Sequence, residues 1–260
     1  MNIVVCIKQV PDTTEIKLDP VKGTLIRDGV PSIMNHDDKG GLEFALQFKD
    51  QYGAHVTVIT MGPPQADAIL REAFAMGADR AILLTDRAFA GADTLATSHA
   101  LSAALKKLEY DLIIAGRQAI DGDTAQVGPE TAELLDLPQV SYVEGIEFDG
   151  KNTLQVRKQT EEGYQILEVH TPCLLTVLAS ANKARYMTVS GIVNAFDKEV
   201  EIWTAASVGA DPATLGLNGS PTKVKKSFGK QLKGKGEVHE VDAAEAAEII
   251  VNKLKERHII

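Results

Sequence analysis

The first half of the chain alternates short apolar runs with longer segments in which apolar residues recur every three or four positions. The short runs are rich in Val, Ile and Leu, as in strands buried on both faces, and the longer segments have the periodicity of amphipathic helices. Strands are predicted at residues 3–7, 56–61, 81–84 and 112–115, with a further possible strand at 23–27, and helices at 39–51, 64–76 and 94–108. This alternation predicts βαβ units, in which parallel strands lie between two layers of helices.

The pattern changes after a short helix predicted at residues 130–135. Apolar runs then follow one another with turn sequences such as DGKN and EEGY, and without a helix pattern between them. These strands are predicted at residues 140–148, 153–158, 165–169 and 174–178. Consecutive strands joined by tight turns are antiparallel. We therefore predict an α/β fold, a parallel sheet flanked by helices, with an antiparallel β extension packed against it.

The last part of the chain has a different composition. From about residue 188 it is poorer in apolar residues and richer in Gly, Ser, Lys and Pro, so it buries too little apolar surface to fold alone. It ends in an amphipathic helix pattern after Asp242, with Glu245 three residues on, as in a capping box. We predict a compact α/β domain over residues 1–187 and, over 188–260, an arm and helix that pack on a partner chain. An arm folded back on its own domain is the alternative.

Charge and composition narrow the function classes. The net charge of -9 disfavours a nucleic-acid surface, because such surfaces need clustered cations, and the glycine-interrupted basic run at residues 223–235 is expected to be a solvated connector. No apolar run approaches the roughly 20 residues of a membrane span, and the chain begins at once with a strand pattern, so we expect a cytoplasmic protein. Cys6 and Cys173 lie far apart and the six histidines lack metal-ligand spacing, so neither a disulfide nor a metal site is expected.

Ligands of open parallel sheets bind beyond the carboxyl ends of the strands, where the strand order reverses. Cys6 and Met61 end two predicted strands. Since neither has a neighbouring cation and base, we expect both to be apolar fillers that can pack on a planar ring. Asn35 precedes the first long helix and can either cap it or recognise an adenine edge; the residue pattern alone favours the cap.

The segment AGRQAIDGDTAQVGP follows another predicted strand, yet it has neither the glycine spacing nor the lysine of a P-loop. Pro129 fits a helix without loss of a hydrogen bond only in the first turn. The helix is therefore predicted to begin between residues 125 and 128, which leaves residues 118–124 as a bend.

Free amides at this helix start favour an anion, so the backbone, Thr124 and Gln126 are expected to meet a phosphate. Asp121 and Asp123 are then expected to accept N–H bonds within the bend, or a sugar hydroxyl. An ordinary turn capped by Asp123 is the alternative reading.

A second candidate wall is AFAGADTLATSHAL, residues 88–101. Asp93 can cap the next helix. Three hydroxyls follow in its first turns, on Thr94, Thr97 and Ser98. They can hold a diphosphate or the polar edge of a ring, or simply mark the helix start.

Together these motifs resemble the beta subunit of electron transfer flavoprotein. The similar stretches cover nearly the whole chain in order: VVCIKQVPDT, RDGVPSIMN, MGPPQADAILREAFAMGADRAILLTD, AGRQAIDGDTAQVGPETAELLDLPQVSYV, VRKQTEEGYQILEVHTPCLLTVLASANKARYM and GLNGSPTKV. The resemblance implies a Rossmann-like, adenine-nucleotide-binding α/β domain. It also implies an alpha subunit that carries FAD, and electron transfer between acyl-CoA dehydrogenases and other redox partners.

The resemblance further implies a nucleotide site at the switch point of the sheet. Its residues would be Cys6, Asn35, Met61, Gln118, Ala119, Ile120, Asp121, Gly122, Asp123, Thr124, Ala125, Gln126, Val127 and Gly128. Respiratory members hold AMP there, and members from anaerobes hold a second FAD whose AMP half occupies the same place.

The segment GADTLATS resembles the corresponding segment of the electron-bifurcating subgroup, which lies against the second FAD. This resemblance implies that Asp93, Thr94 and Thr97 contact the diphosphate or the flavin. In that subgroup NADH reduces this FAD. The electrons are divided between a ferredoxin or flavodoxin and, through the alpha-subunit FAD, an acyl-CoA dehydrogenase. The flavin carries the chemistry, so no side chain is assigned a catalytic role.

Two segments depart from the family. His36 stands where the family often has Pro. The segment that resembles the dehydrogenase-recognition loop, SANKARYM, has Ala184 in place of a common Pro and Ala181 in place of an anchoring Leu found in some members. The second departure implies a shifted contact with the dehydrogenase. A beta subunit that binds AMP alone, and a nucleotide-binding sensor outside the family, are the alternative functions.

Overall fold

A computed structural model describes residues 1–12, 31–223, 225 and 236–260. The possible strand at residues 23–27 and most of the basic run at 223–235 lie outside the described residues. The described strands are β1 Asn2–Cys6, β2 Gln9–Pro11, β3 Ser32–Met34, β4 His55–Met61, β5 Arg80–Leu84, β6 Leu112–Gly116, β7 Gln139–Phe148, β8 Thr153–Thr160, β9 Gly163–His170, β10 Cys173–Val177 and β11 Val200–Trp203. The described α-helices are α1 His36–Tyr52, α2 Asp67–Met76, α3 Thr94–Leu105, α4 Val127–Leu134, α5 Val189–Ala195, α6 Ala205–Val208, α7 Gly216–Gly219 and α8 Ala243–Glu256. None of the helices described here is long and apolar enough to cross a membrane.

The main sheet has nine strands in the order β11-β5-β4-β1-β6-β10-β7-β8-β9. The predicted parallel strands are confirmed: β1 pairs in parallel with β4 on one side and with β6 on the other, and β4 pairs in parallel with β5. The chain builds outwards from β1 first in one direction and then in the other. The strand order therefore reverses beside β1, and a crevice forms at the carboxyl ends of β1 and β6.

Two hydrophobic clusters cover the two faces of the sheet. Ile3 and Val5 belong to the cluster that includes α1 and α2, whereas Val4 belongs to the cluster that includes α3. All three side chains are at most 1% exposed. Burial on both faces explains why β1 reads as a continuous apolar run rather than an alternating one.

The antiparallel extension is confirmed in part. β7 pairs antiparallel with β8, and β8 with β9. However, β10 pairs in parallel with both β6 and β7, so the extension continues the same sheet instead of packing against it. All five residues of β10 are buried, as expected of a central parallel strand, but sequence periodicity does not specify which strands are its neighbours.

The compact unit extends beyond residue 187. The chain divides into a unit of Met1–Lys226 and a unit of Ser227–Ile260. β11 adds an edge strand parallel to β5, and Glu201 accepts hydrogen bonds of 2.6 and 2.8 Å from the Arg80 guanidinium. In the second unit, Asp242 caps α8 as predicted, because its carboxylate accepts from the amides of Ala244 and Glu245. That the arm and α8 pack on a partner chain stays a prediction.

Candidate functional site

A cavity of about 850 Å³ opens at the carboxyl ends of β1, β4, β5 and β6. Most of the predicted site residues line it: Cys6, Met61, Asp93, Thr94, Thr97, Gln118, Ala119, Gly122, Asp123, Thr124, Ala125, Gln126, Val127 and Gly128. Asn35, and Ile120 and Asp121 of the bend, do not line it. The cavity therefore brings together the two walls that the sequence singled out separately.

The first wall is the bend between β6 and α4. The amides of Gly122 and Asp123 donate to the carbonyl of Ala119, at 3.2 and 2.9 Å, and Asp123 and Ala125 have left-handed φ values of 50° and 55°. α4 begins at Val127, which confirms the predicted start. The N-cap residue is Gln126, without a side-chain cap, so capping by Asp123 is wrong. First-turn amides have no partner within a helix, and here they lie at the cavity wall.

Both aspartates of the bend accept hydrogen bonds from side chains. The Lys8 ammonium donates to both carboxylate oxygens of Asp121, at 2.7 and 2.9 Å, and the Asp121 side chain is only 7% exposed. The Gln118 amide donates to Asp123 at 2.9 Å. Asp123 therefore accepts an N–H bond from within the bend, as expected, whereas Asp121 is paired with Lys8 from outside the bend. The Lys8 charge compensates that of Asp121, whereas the neutral Gln118 amide orients Asp123 without compensating its charge.

Asn35 supports the bend from behind. Its side chain is fully buried and makes no cap hydrogen bond to α1, so the cap favoured for it is wrong. Instead its amide group donates to the carbonyl of Gln118 at 2.8 Å and accepts from the amide of Ile120 at 3.2 Å. Asn35 therefore fixes the conformation of the bend, and its contact with a nucleotide stays a prediction.

Asp38 is a cavity residue that the sequence analysis missed. Its carboxylate accepts from the amides of Lys8 at 2.7 Å and Gly116 at 3.0 Å, and so joins the ends of β1 and β6. Burial raises the pKa of Asp38 to about 7, although these hydrogen bonds oppose the rise. Gly116 allows the close approach, since a Cβ there would collide with the Asp38 carboxylate. The sequence gives no sign of this burial, because adjacent acids such as Asp37 and Asp38 are common at helix starts, where they interact favourably with the helix dipole.

Cys6 lies beside Asp38 at the end of β1. Burial, and secondly the nearby Asp38 charge, raise the pKa of Cys6 to about 12. A thiol with this pKa stays protonated at neutral pH, which agrees with the interpretation of Cys6 as an apolar filler.

The second wall is the start of α3. Asp93 caps α3 by accepting from the amide of Ala96 at 3.0 Å, as predicted, and it also accepts from the amide of Thr222 at 2.9 Å. Burial tends to raise the pKa of Asp93, but these hydrogen bonds lower it overall. The Thr94 hydroxyl donates to the Gln126 side chain at 3.0 Å, so the two walls are in contact.

The predicted hydroxyls differ in position. Thr94 and Thr97 line the cavity, whereas Ser98 is buried and bonds to the carbonyl of Thr94 and to Glu130. Between the walls the surface is apolar. It is formed by Ile59, Met61, Pro63, Phe89 and Leu101, of which only Met61 was singled out from the sequence.

Comparison with known proteins shows the family to which the chain belongs. The electron transfer flavoprotein domain profile matches residues 22–208. The chain is 65% identical to the electron transfer flavoprotein subunit beta of Clostridium acetobutylicum and 54% identical to that of Thermoanaerobacterium thermosaccharolyticum, over the whole of each chain. It is 53% identical to the caffeyl-CoA reductase-Etf complex subunit CarD of Acetobacterium woodii, again over both whole chains. The chain belongs to the electron transfer flavoprotein family, among its beta subunits.

Proposed function

We propose that this beta subunit binds FAD in the 850 Å³ cavity and works in a bifurcating complex. The complex takes electrons from NADH and delivers them to a ferredoxin or flavodoxin and, through the FAD of an alpha subunit, to an acyl-CoA dehydrogenase. FAD, when bound, supplies the hydride and one-electron chemistry, and the protein binds and orients it. The observation that carries the proposal is the continuous cavity between the amide-rich bend and the hydroxyl-bearing start of α3.

The bend fits the AMP half of the nucleotide. The first-turn amides of α4 and the positive end of its dipole favour a phosphate. Of the two acids in the bend, Asp121 is compensated by the Lys8 charge, and Asp123 is oriented by its hydrogen bond from Gln118. Burial also favours the neutral form of the Asp38 carboxyl.

The second wall fits the flavin half. Met61, Phe89 and Leu101 offer an apolar surface for a planar ring, and the hydroxyls of Thr94 and Thr97 stand at its edge. Pockets for small ligands occupy about 300–1,000 Å³, so this cavity lies toward the large end of that range. A long dinucleotide uses both walls, whereas AMP alone uses one.

Two described surfaces fit protein partners. None of the residues of α8 is buried in its unit, and Ile250 is 59% exposed. We assign this helix to the alpha subunit. A second apolar surface lies after β10, where Tyr186 is 87%, Val189 81% and Phe196 73% exposed. We assign it to the dehydrogenase, since Ala181 and Ala184 are partly buried against the core and offer little area.

The cofactor assignment is tested by co-expressing the chain with its alpha subunit and measuring flavin and AMP released per heterodimer on denaturation. Two flavins support the proposal. One flavin and one AMP support the alternative in which AMP is structural, and no adenine nucleotide beyond the alpha-subunit FAD overturns both.

The flavin-facing wall is tested by replacing Thr94 and Thr97 with Val. We expect weaker FAD retention at the beta site, because the polar contacts are lost, while AMP affinity changes less. Thr160→Val, on the exposed end of β8, is the matched control. FAD affinity equal to that of the control would show that these hydroxyls do not hold the flavin.

A further inference from the structure

Residues 178–188 join β10 to α5 and are here called the strap. Arg185 anchors the strap on α1 through a buried carboxylate: its Nε and Nη2 donate to Glu43 at 2.9 and 3.0 Å, and its backbone amide donates to the same group at 3.0 Å. Nη2 also donates to Asp50 at 2.9 Å. The Glu43 side chain is only 6% exposed, so this end of the strap is firmly held.

The other end of the strap is held near the start of α1. The Asn182 amide donates to the carbonyl of Gly40 at 3.0 Å, and the backbone amide of Ala179 donates to Asp37 Oδ1 at 2.8 Å. Residues 37, 40 and 43 are spaced by three, so one face of α1 carries all these contacts.

Asp37 also holds the nucleotide bend. Its second oxygen, Oδ2, accepts from Arg117 Nε at 3.2 Å and from the amide of Gln118 at 3.4 Å. The residue is 8% exposed, so these donors take the place of water. One carboxylate therefore has one oxygen on the strap and the other on the bend.

The backbone adds a second link at the same place. The amide of Arg117, at the start of the bend, donates to the carbonyl of Val177, the last residue before the strap, at 2.9 Å. Beyond the strap lies the exposed apolar surface around Val189. Two adjacent hydrogen bonds thus connect the bend region with the start of the strap.

Resting on the proposed nucleotide site, we propose that Asp37 is a positioning residue that couples occupancy of the cavity to the order of the strap. A bound adenylate fixes the bend, which fixes Oδ2 of Asp37 and with it the hydrogen bond from Oδ1 to Ala179. Coupling of this kind is reciprocal, so a partner that orders the strap also tightens nucleotide binding.

The test is amide hydrogen exchange of the strap in the heterodimer, dialysed free of beta-site nucleotide and then saturated with AMP. In the unmodified protein we expect AMP to slow exchange of residues 179–188 at least about fivefold, the lower end of ordinary coupling. In Asp37→Asn one acceptor oxygen is lost. Strap exchange should then be fast and insensitive to saturating AMP, and AMP should bind roughly tenfold more weakly.

Glu43→Gln is the matched control on the same helix. It weakens the Arg185 anchor, so strap exchange should rise with and without AMP while the AMP-dependent change persists. A purely structural role for Asp37 would raise exchange equally in both states. Exchange in the β8–β9 hairpin serves as the internal reference.

The outcomes separate the two proposals. AMP that binds without slowing strap exchange in the unmodified protein overturns the coupling and leaves the nucleotide site standing. AMP-dependent slowing that survives in Asp37→Asn also overturns it. Failure of AMP to bind the unmodified protein overturns both. If Asp37→Asn does not fold, the unmodified protein can still overturn the proposal, because AMP that binds without slowing strap exchange excludes the coupling.

Discussion

Gly128 offers the sharpest test of the bend and helix start, because it lies in the first turn of α4 against β10. A Cβ at Gly128 would lie 2.5 Å from the γ-methyl of Thr176. Carbon atoms in contact are about 3.5–4.0 Å apart, so Gly128→Ala must move the turn outwards by about 1 Å. Thr176 is 1% exposed and β-branched, which leaves it little freedom to rotate away.

The magnitude follows from two opposed effects. Alanine favours the helix over glycine by about 0.5–1 kcal/mol, whereas overpacking costs about 1–3 kcal/mol. The steric effect therefore exceeds the helix preference. Since the displaced amides are those assigned to the phosphate, we expect AMP affinity to fall about tenfold or more, which corresponds to about 1.4 kcal/mol. Calorimetric titration of the nucleotide-free heterodimer with AMP measures this directly.

Two matched variants accompany it. A Cβ at Gly145, in β7 and outside the cavity lining, would lie 3.4 Å from the Cβ of Arg157, an ordinary contact, so Gly145→Ala should bind AMP normally. Thr176→Ser removes the obstructing methyl, and the next atoms stand at 3.7 and 3.8 Å, so the double variant should regain affinity. Equal AMP affinity in the two alanine variants would refute the assignment of the first turn of α4 to the phosphate.

Three further predictions concern charge and capping. Asp38 has a pKa of about 7 in the folded protein and about 3.9 unfolded, so its stabilising contribution is full below pH 4 and lost as pH rises through 7. In urea unfolding, the free energy of unfolding should fall by up to about 3 kcal/mol between pH 5 and 8 in the unmodified protein, but not in Asp38→Asn. The same pH dependence in both proteins would contradict the assignment to Asp38. Lys8→Met should weaken AMP binding several-fold by leaving Asp121 buried and unpaired, and adding Asp121→Asn should restore it; no rescue in titrations would exclude charge as the cause. Asp93→Ala should lower the free energy of unfolding by about 1–2 kcal/mol, because the α3 cap is lost. Asp211→Ala, on a short exposed turn, is the control, and a smaller decrease for Asp93→Ala than for this control would contradict the capping role.

Local patterns predicted the parallel strands and the start of α4. Apolar runs and the position of Pro129 depend only on neighbouring residues, so they can be read without the fold. The place of β10 could not be predicted in this way, because strand neighbours are fixed by contacts far apart in the chain. β11 was missed for a related reason: it is a four-residue edge strand of mixed polarity within a segment that looked too polar to fold.

In the site, too, local features could be predicted and contacts between distant residues could not. Residue patterns singled out the bend and the start of α3 separately, and only the family resemblance assigned them to one ligand. The same patterns predicted a local cap at Asn35, whereas in the fold Asn35 supports the distant bend. Burial of Asp38 between two strand ends is likewise a tertiary property that no local pattern reports. The pairing of Asp121 with Lys8 joins residues 113 positions apart and removes the apparent conflict between this acid and a phosphate.

The central claim is that the cavity beside β1 and β6 holds the adenylate of an FAD. An experimental structure of the heterodimer as purified tests it most directly. Our account predicts the AMP half against residues 118–128 and the flavin ring between Met61 and the start of α3. A cavity without nucleotide, or an FAD whose adenylate lies elsewhere on the chain, would contradict it.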